Sequence, residues 1–119
     1  MNLRQFSQAN RERCESPDGF NHELSDWSLS DWMTAAFGEL GEAANVVKKL
    51  NRVRDGIPGN DETEDELWEA LADEIADTII YLDLLAQSQA IDLSAAIIDK
   101  FNRTSAKVGY PTVFQCTGS

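Results

Sequence analysis

One histidine and two cysteines are all that this chain of 119 residues holds of those types, and each scarcity removes a class of function. His22 stands alone, so the Glu-x-x-His pairs of a di-iron carboxylate bundle are missing. Cys14 and Cys116 lie near opposite ends with no CxxC pair, which excludes a thiolate zinc site. Both are read as free thiols of a reducing compartment. No run of 18 apolar residues occurs, so no membrane span is expected. The opening MNLRQFSQANRERCES lacks the apolar core of an export signal, and a cytoplasmic location follows as the expectation. There is no P-loop, GxSxG or HExxH, and Asp55-Gly56-Ile57-Pro58 lacks the alternating oxygen ligands of a calcium loop.

Bases are scarce as well. Against 21 Asp+Glu stand 10 Lys+Arg, a formal charge of −11. Such a balance argues against binding a nucleic-acid polymer by phosphate neutralisation, and against attachment to anionic lipid. The imbalance is local: residues 61–99 carry 12 acids and no base, whereas residues 100–119 carry Lys100, Arg103 and Lys107 and no acid.

What is present is enough apolar residue, 42%, for a packed core, and the length fits one domain spanning 1–119. So short a chain builds a modest core, for which oligomerisation is a common remedy. Helical spacing predicts a first helix from Leu3 to Glu15, then a turn at Ser16-Pro17-Asp18-Gly19 and an irregular stretch from Phe20 to Ser28. Ser30 reads as the N-cap of a long helix to about Arg54, ended by Gly56, Pro58 and Gly59. Thr63-x-x-Glu66 is a capping box that opens a second long helix to about Gln89. Asp92 caps a last helix to about Lys107, closed by Gly109 and Pro111. No strand alternation exceeds four residues. The expected fold is all-α: a bundle of about four helices around two long antiparallel central ones, assembling as an oligomer.

Four carboxylates sit where apolar residues belong. With Glu39 at angle zero on its helix, Trp32, Ala35, Ala43, Val46, Leu50 and Val53 fall within about 40°, and Glu42 about 60° away. With Glu74 at zero on the next helix, Leu67, Ala70, Thr78, Tyr81 and Leu85 fall within about 40°, and Asp77 about 60° away on the corresponding side. An ExxE on one helix therefore meets an ExxD on its neighbour, each inside an apolar seam. Like charges repel and desolvating each costs several kcal/mol, so protonation, basic partners or metal ions must compensate. Ligands that are all oxygen favour hard cations, Mg²⁺ or Mn²⁺. The alternative is a set of half-exposed rim residues paired with lysines. Gly38, Gly41, Ala35, Ala36, Ala43 and Ala44 flank the first pair, and their small size is expected to let helices approach closely and leave room for a ligand.

At these residues the sequence resembles a known family. FGELGEAANVVKKL (37–50) followed by ELWEALADEIADTIIYLDLLA (66–86) looks like the MazG-like all-α nucleoside triphosphate pyrophosphohydrolases. The match to their ExxE…ExxD hallmark falls on Glu39, Glu42, Glu74 and Asp77. The closing KFNRTSAKVGYP (100–111) is similar to the lysine-bearing last helix and Tyr-Pro ending of that family, although Thr104 stands where an Asn is often found. The resemblance covers about residues 30–111. It implies Mg²⁺-dependent hydrolysis of a nucleoside triphosphate between the α and β phosphorus, giving a monophosphate and pyrophosphate. Dimers, or dimers of dimers, with substrate sites near subunit interfaces are implied too.

On that resemblance Glu39, Glu42, Glu74 and Asp77 are assigned as metal ligands, with Glu39 or Glu42 a candidate to orient or deprotonate the attacking water. Lys100, Arg103 and Lys107 form one stripe, either to neutralise phosphates or to face solvent at a helix C-terminus; Lys49 is a further candidate. Trp32, Trp27, His22 and Tyr81 are candidates for contact with the base, or core residues. Phe37, Leu40, Ala44 and Val47 make the first motif helix apolar over more than half its circumference, which predicts a subunit interface. A relative directed to dUTP or dCTP is a narrower form of this reading. A non-catalytic acidic helical module that binds a basic protein partner is the competing class.

Overall fold

The computed structural model describes residues 1–111 and 113–115; Cys116 lies outside the described residues. Four α-helices follow one another: α1 (Leu3–Glu15), α2 (Leu29–Asp55), α3 (Glu64–Ser88) and α4 (Leu93–Val108), with a single 3-10 turn at Leu24–Asp26. No strand occurs among the described residues. No helix among them is long and apolar enough to cross a membrane. The chain forms two compact units, residues 1–29 with 83–119, and residues 30–82.

The helix ends follow local chemistry. Asn2 caps α1 by accepting from the Gln5 backbone N–H, while the Gln5 side chain accepts from the Asn2 N–H. The Thr63 hydroxyl accepts from the Glu66 N–H at 3.1 Å and Glu66 accepts from the Thr63 N–H at 2.9 Å, the reciprocal box read from sequence. Asp92 accepts from Ala95 N–H at 3.1 Å to start α4, and Gly109 ends it in the left-handed region at φ 75°. One cap differs from expectation: α2 begins at Leu29, so Ser30 lies within its first turn and Ser28 precedes it.

Residues 30–82 are a helical hairpin. Across it Trp32 meets Tyr81, with ring centroids 6.5 Å apart, Glu39 meets Glu74, and Lys49 pairs with Glu62 at 2.6 Å. The partner number falls as the first number rises, which is the register of antiparallel helices. The expected apolar seam is real along most of this length: Trp32, Ala43, Leu67 and Thr78 are buried, and Val46, Leu50, Ala70 and Tyr81 are half-buried. Val53 is the exception and is exposed. In that register residue 53 lies beyond the first turn of α3, so within the hairpin α3 does not reach the end of α2. The glycines also correct the reading. Among the described residues, a Cβ added at Gly38 or Gly41 meets nothing within 4 Å, so neither position serves a close helix approach there.

The connection between α2 and α3 is tied down. Gly56 adopts φ 69° as α2 ends, and Ile57 N–H returns to the Arg52 carbonyl at 2.9 Å. The Asn60 amide donates to the Lys49 carbonyl at 2.9 Å and accepts from Arg52 at 3.3 Å.

Candidate metal centre

The hairpin brings three of the four carboxylates into one group. Glu39, Glu74 and Asp77 each offer an oxygen, and these oxygens lie within 4.8 Å of one another. Glu42, one turn after Glu39, is exposed and adjoins Glu74. Glu39 and Glu74 are half-buried and Asp77 is exposed, so the cluster grades from seam to solvent. Helical spacing explains the convergence, since positions i and i+3 share one side of a helix and the antiparallel register sets Glu39 opposite Glu74.

Glu74 carries the electrostatic cost. Burial pushes its carboxyl up from 4.5 to about 7, and the adjacent carboxyls of Glu39 and Glu42 push the same way. Its Oε2 is shut from solvent with no hydrogen-bond partner among the described residues. Buried carboxylate oxygens are normally satisfied, so this atom is the anomaly of the hairpin. A hard divalent cation fits it: the donors are all oxygen, three converge, and the orphaned oxygen belongs to one of them.

A pH dependence follows without metal. The folded state holds the Glu74 proton more tightly than the unfolded chain does. The group therefore contributes stability that is complete below about pH 4.5 and is lost as pH rises through about 7. Thermal denaturation in EDTA should show the wild type losing stability over that window relative to Glu74→Gln. Parallel pH curves for the two proteins would contradict the crowded, buried carboxyl.

The other candidate residues are distributed as follows. Trp32 is 1% exposed and so is a core residue of this chain, while Tyr81 beside it is half-buried. Lys49 already serves Glu62, and that pairing holds the Glu62 carboxyl below the usual range. His22 and Trp27 belong to the other unit, where their rings meet edge to face at 4.7 Å. Lys100, Arg103 and Lys107 are exposed on α4, in that same unit, with Arg103 paired to Asp99 at 2.9 Å.

Sequence reasoning missed a second buried carboxylate, Asp83, which is fully buried and accepts from Ser7, Asn10 and Gln87. The available signal was an acid enclosed by Leu82, Leu84 and Leu85. No family model, curated protein or solved structure matches this chain.

Proposed function

We propose that the protein is a divalent-cation-dependent nucleoside triphosphate pyrophosphohydrolase of the MazG-like kind, cleaving between the α and β phosphorus to release a monophosphate and pyrophosphate. The observation that carries this reading is the group of Glu39, Glu74 and Asp77 oxygens within 4.8 Å, in which one member, Glu74, also has a buried Oε2 with no hydrogen-bond partner among the described residues. The resemblance of residues 37–50 and 66–86 to that family supplies the reaction; the geometry of the hairpin supports the cation.

Glu39, Glu42, Glu74 and Asp77 would hold Mg²⁺, or Mn²⁺. When bound, the ion offsets the negative charge that a triphosphate brings to an acidic site and polarises its phosphoryl oxygens. The chain's own tasks are then orientation and proton transfer. Glu42 stands outside the close group of three and is exposed, which favours it over Glu39 as the carboxylate that takes a proton from the attacking water. Tyr81, half-buried, is the better candidate than Trp32 for contact with the base. Lys49 would have to leave Glu62 to reach a phosphate. Lys100 and Arg103 are kept as phosphate-binding residues on their shared stripe and on the likeness of the last helix, and His22 and Trp27 as base contacts on the chemistry of their rings alone.

The proposed working form is a homodimer or a dimer of dimers, in the cytoplasm. Met33, Phe37, Leu40 and Val47 on α2 and Trp68, Ile75, Ile79 and Leu82 on α3 are exposed apolar residues. Each stripe lies about 110° from the acidic line of its helix, turned in the same sense. On antiparallel helices equal rotations end on one face, so the hairpin carries acid on one side and a continuous apolar surface on another. A face of this kind fits a second copy.

The deciding experiment is a panel of ribo- and deoxynucleoside triphosphates with Mg²⁺, scored for products. Monophosphate and pyrophosphate are expected, and their formation should stop in EDTA. Orthophosphate and a nucleoside diphosphate would put the cut at the wrong bond and end the proposal.

A further inference from the structure

The Asp83 carboxylate is fully buried, yet its three hydrogen-bond donors are all neutral. Ser7 Oγ donates to Oδ1, and the amides of Asn10 and Gln87 each donate to Oδ2 at 2.9 Å. The same Gln87 amide also donates to the Ser7 carbonyl at 2.9 Å. Arg4 and Arg11 line the same groove as Asp83, but each is turned to another acid, Arg4 to Asp92 at 2.6 Å and Arg11 to Glu15 at 2.9 Å. Two of the three donors, Ser7 and Asn10, come from α1, whereas Gln87 lies on the same helix as Asp83.

The packing of α1 is otherwise thin. Its only buried residues are Asn10 and Cys14, and Leu3 and Phe6 are half-buried. Ser7, Asn10 and Cys14 are spaced i, i+3, i+7 and so share one face, the face that meets Asp83. A buried carboxylate held by neutral donors gains little over the same carboxylate in water, because desolvation consumes most of the hydrogen-bond energy. Docking of α1 therefore rests on few buried side chains, beside the hydrogen bonds that Phe20, His22 and Leu24 N–H groups donate to Arg13, Cys14 and Glu15 at its end. These are the features of a segment at the low-stability end of a fold.

We propose that α1 is a releasable arm, latched by Ser7 and Asn10 on Asp83, that undocks as one unit while the rest of the fold stays intact and uncovers Cys14. Docked, the Cys14 thiol is buried and donates to the His22 carbonyl at 3.2 Å. Burial, reinforced by Glu15 and Glu23, holds that thiol above its ordinary pKa, so the closed arm is unreactive. Cys14 is therefore a reporter built into the latch face.

The test is thiol labelling of the full chain in increasing urea, with the modified Cys14 peptide quantified by mass spectrometry. Release of the arm exposes little surface, so the wild-type rate should be nearly independent of urea until global unfolding takes over. Ser7→Ala and Asn10→Ala should each speed Cys14 labelling at low urea about tenfold, equivalent to about 1.4 kcal/mol, with a much smaller relative change in global unfolding. Alanine is the best helix former, so faster labelling in these variants cannot come from a weaker α1 helix. If wild-type Cys14 reacts only along the steep urea dependence of global unfolding, or if both variants label at the wild-type rate, the latch is overturned. Should the variants fail to fold, the wild-type urea dependence alone decides.

Discussion

Glu39→Gln is expected to lower Mg²⁺-dependent pyrophosphate release by at least about 10²-fold, since even outer-shell changes at metal sites cost 10–100-fold. Its effect on the fold should run the other way. Glu39 is one of the carboxyls that push Glu74 up, and its neutralisation relieves that repulsion. In EDTA, Glu39→Gln should therefore denature at or above the wild-type temperature. A change that removes activity while sparing or raising stability marks a position kept for chemistry. Mg²⁺ should raise the wild-type denaturation temperature and raise that of Glu39→Gln much less. If the protein is instead an acidic module for a basic partner, there is no Mg²⁺-dependent release for Glu39→Gln to lose, and partner binding is almost untouched, since one charge among 21 acids is lost. Product assays and EDTA-controlled melts on the same two preparations separate these outcomes.

The second large effect concerns assembly. Phe37 is 66% exposed and Ile79 49% exposed in the single chain. Burying such side chains contributes about 1.5–3 kcal/mol each, and a charge placed among them meets an apolar partner. The double change Phe37→Glu with Ile79→Glu is expected to weaken self-association by more than about 10²-fold, as two buried side chains of that size imply. Light scattering at micromolar concentration should give a multiple of 13.2 kDa for the wild type and a single chain for the variant. The wild-type denaturation temperature should also rise with protein concentration, and that of the variant should not. A wild type of single-chain mass removes the interface from the proposal.

The local rules carried far into this fold, and the reasons are specific. Thr63, Glu66, Asp92 and Gly109 mark helix ends because each satisfies orphaned backbone groups with its own side chain or backbone, an interaction confined to a few residues. The acidic pairs were legible because helical period fixes which side chains share a face, and the antiparallel register then sets Glu39 against Glu74. Two things were not legible. The exposure of Val53 depends on where α3 begins, a property of the connection and not of α2. Two of the three donors to Asp83 lie 73 and 76 residues away in sequence, at Asn10 and Ser7, and no periodicity within one helix reports on such contacts. Lys49 illustrates the same limit: its position on the helix was readable, but its ion pair with Glu62 was set by the fold of the loop.

That loop has a bearing on assembly. Asn60 grips the Lys49 carbonyl, Arg52 grips Asn60, and Lys49 holds Glu62, so the segment joining the two long helices is cross-tied at both ends. Exchange of a helix between copies requires such a hinge to open and extend. If the protein self-associates as proposed, a hinge fastened in this way favours a hairpin closed within each chain over one shared between chains. Copies would then add as finished pieces and not by trading arms, and a mixture of two separately folded variants should form hybrids without any unfolding step.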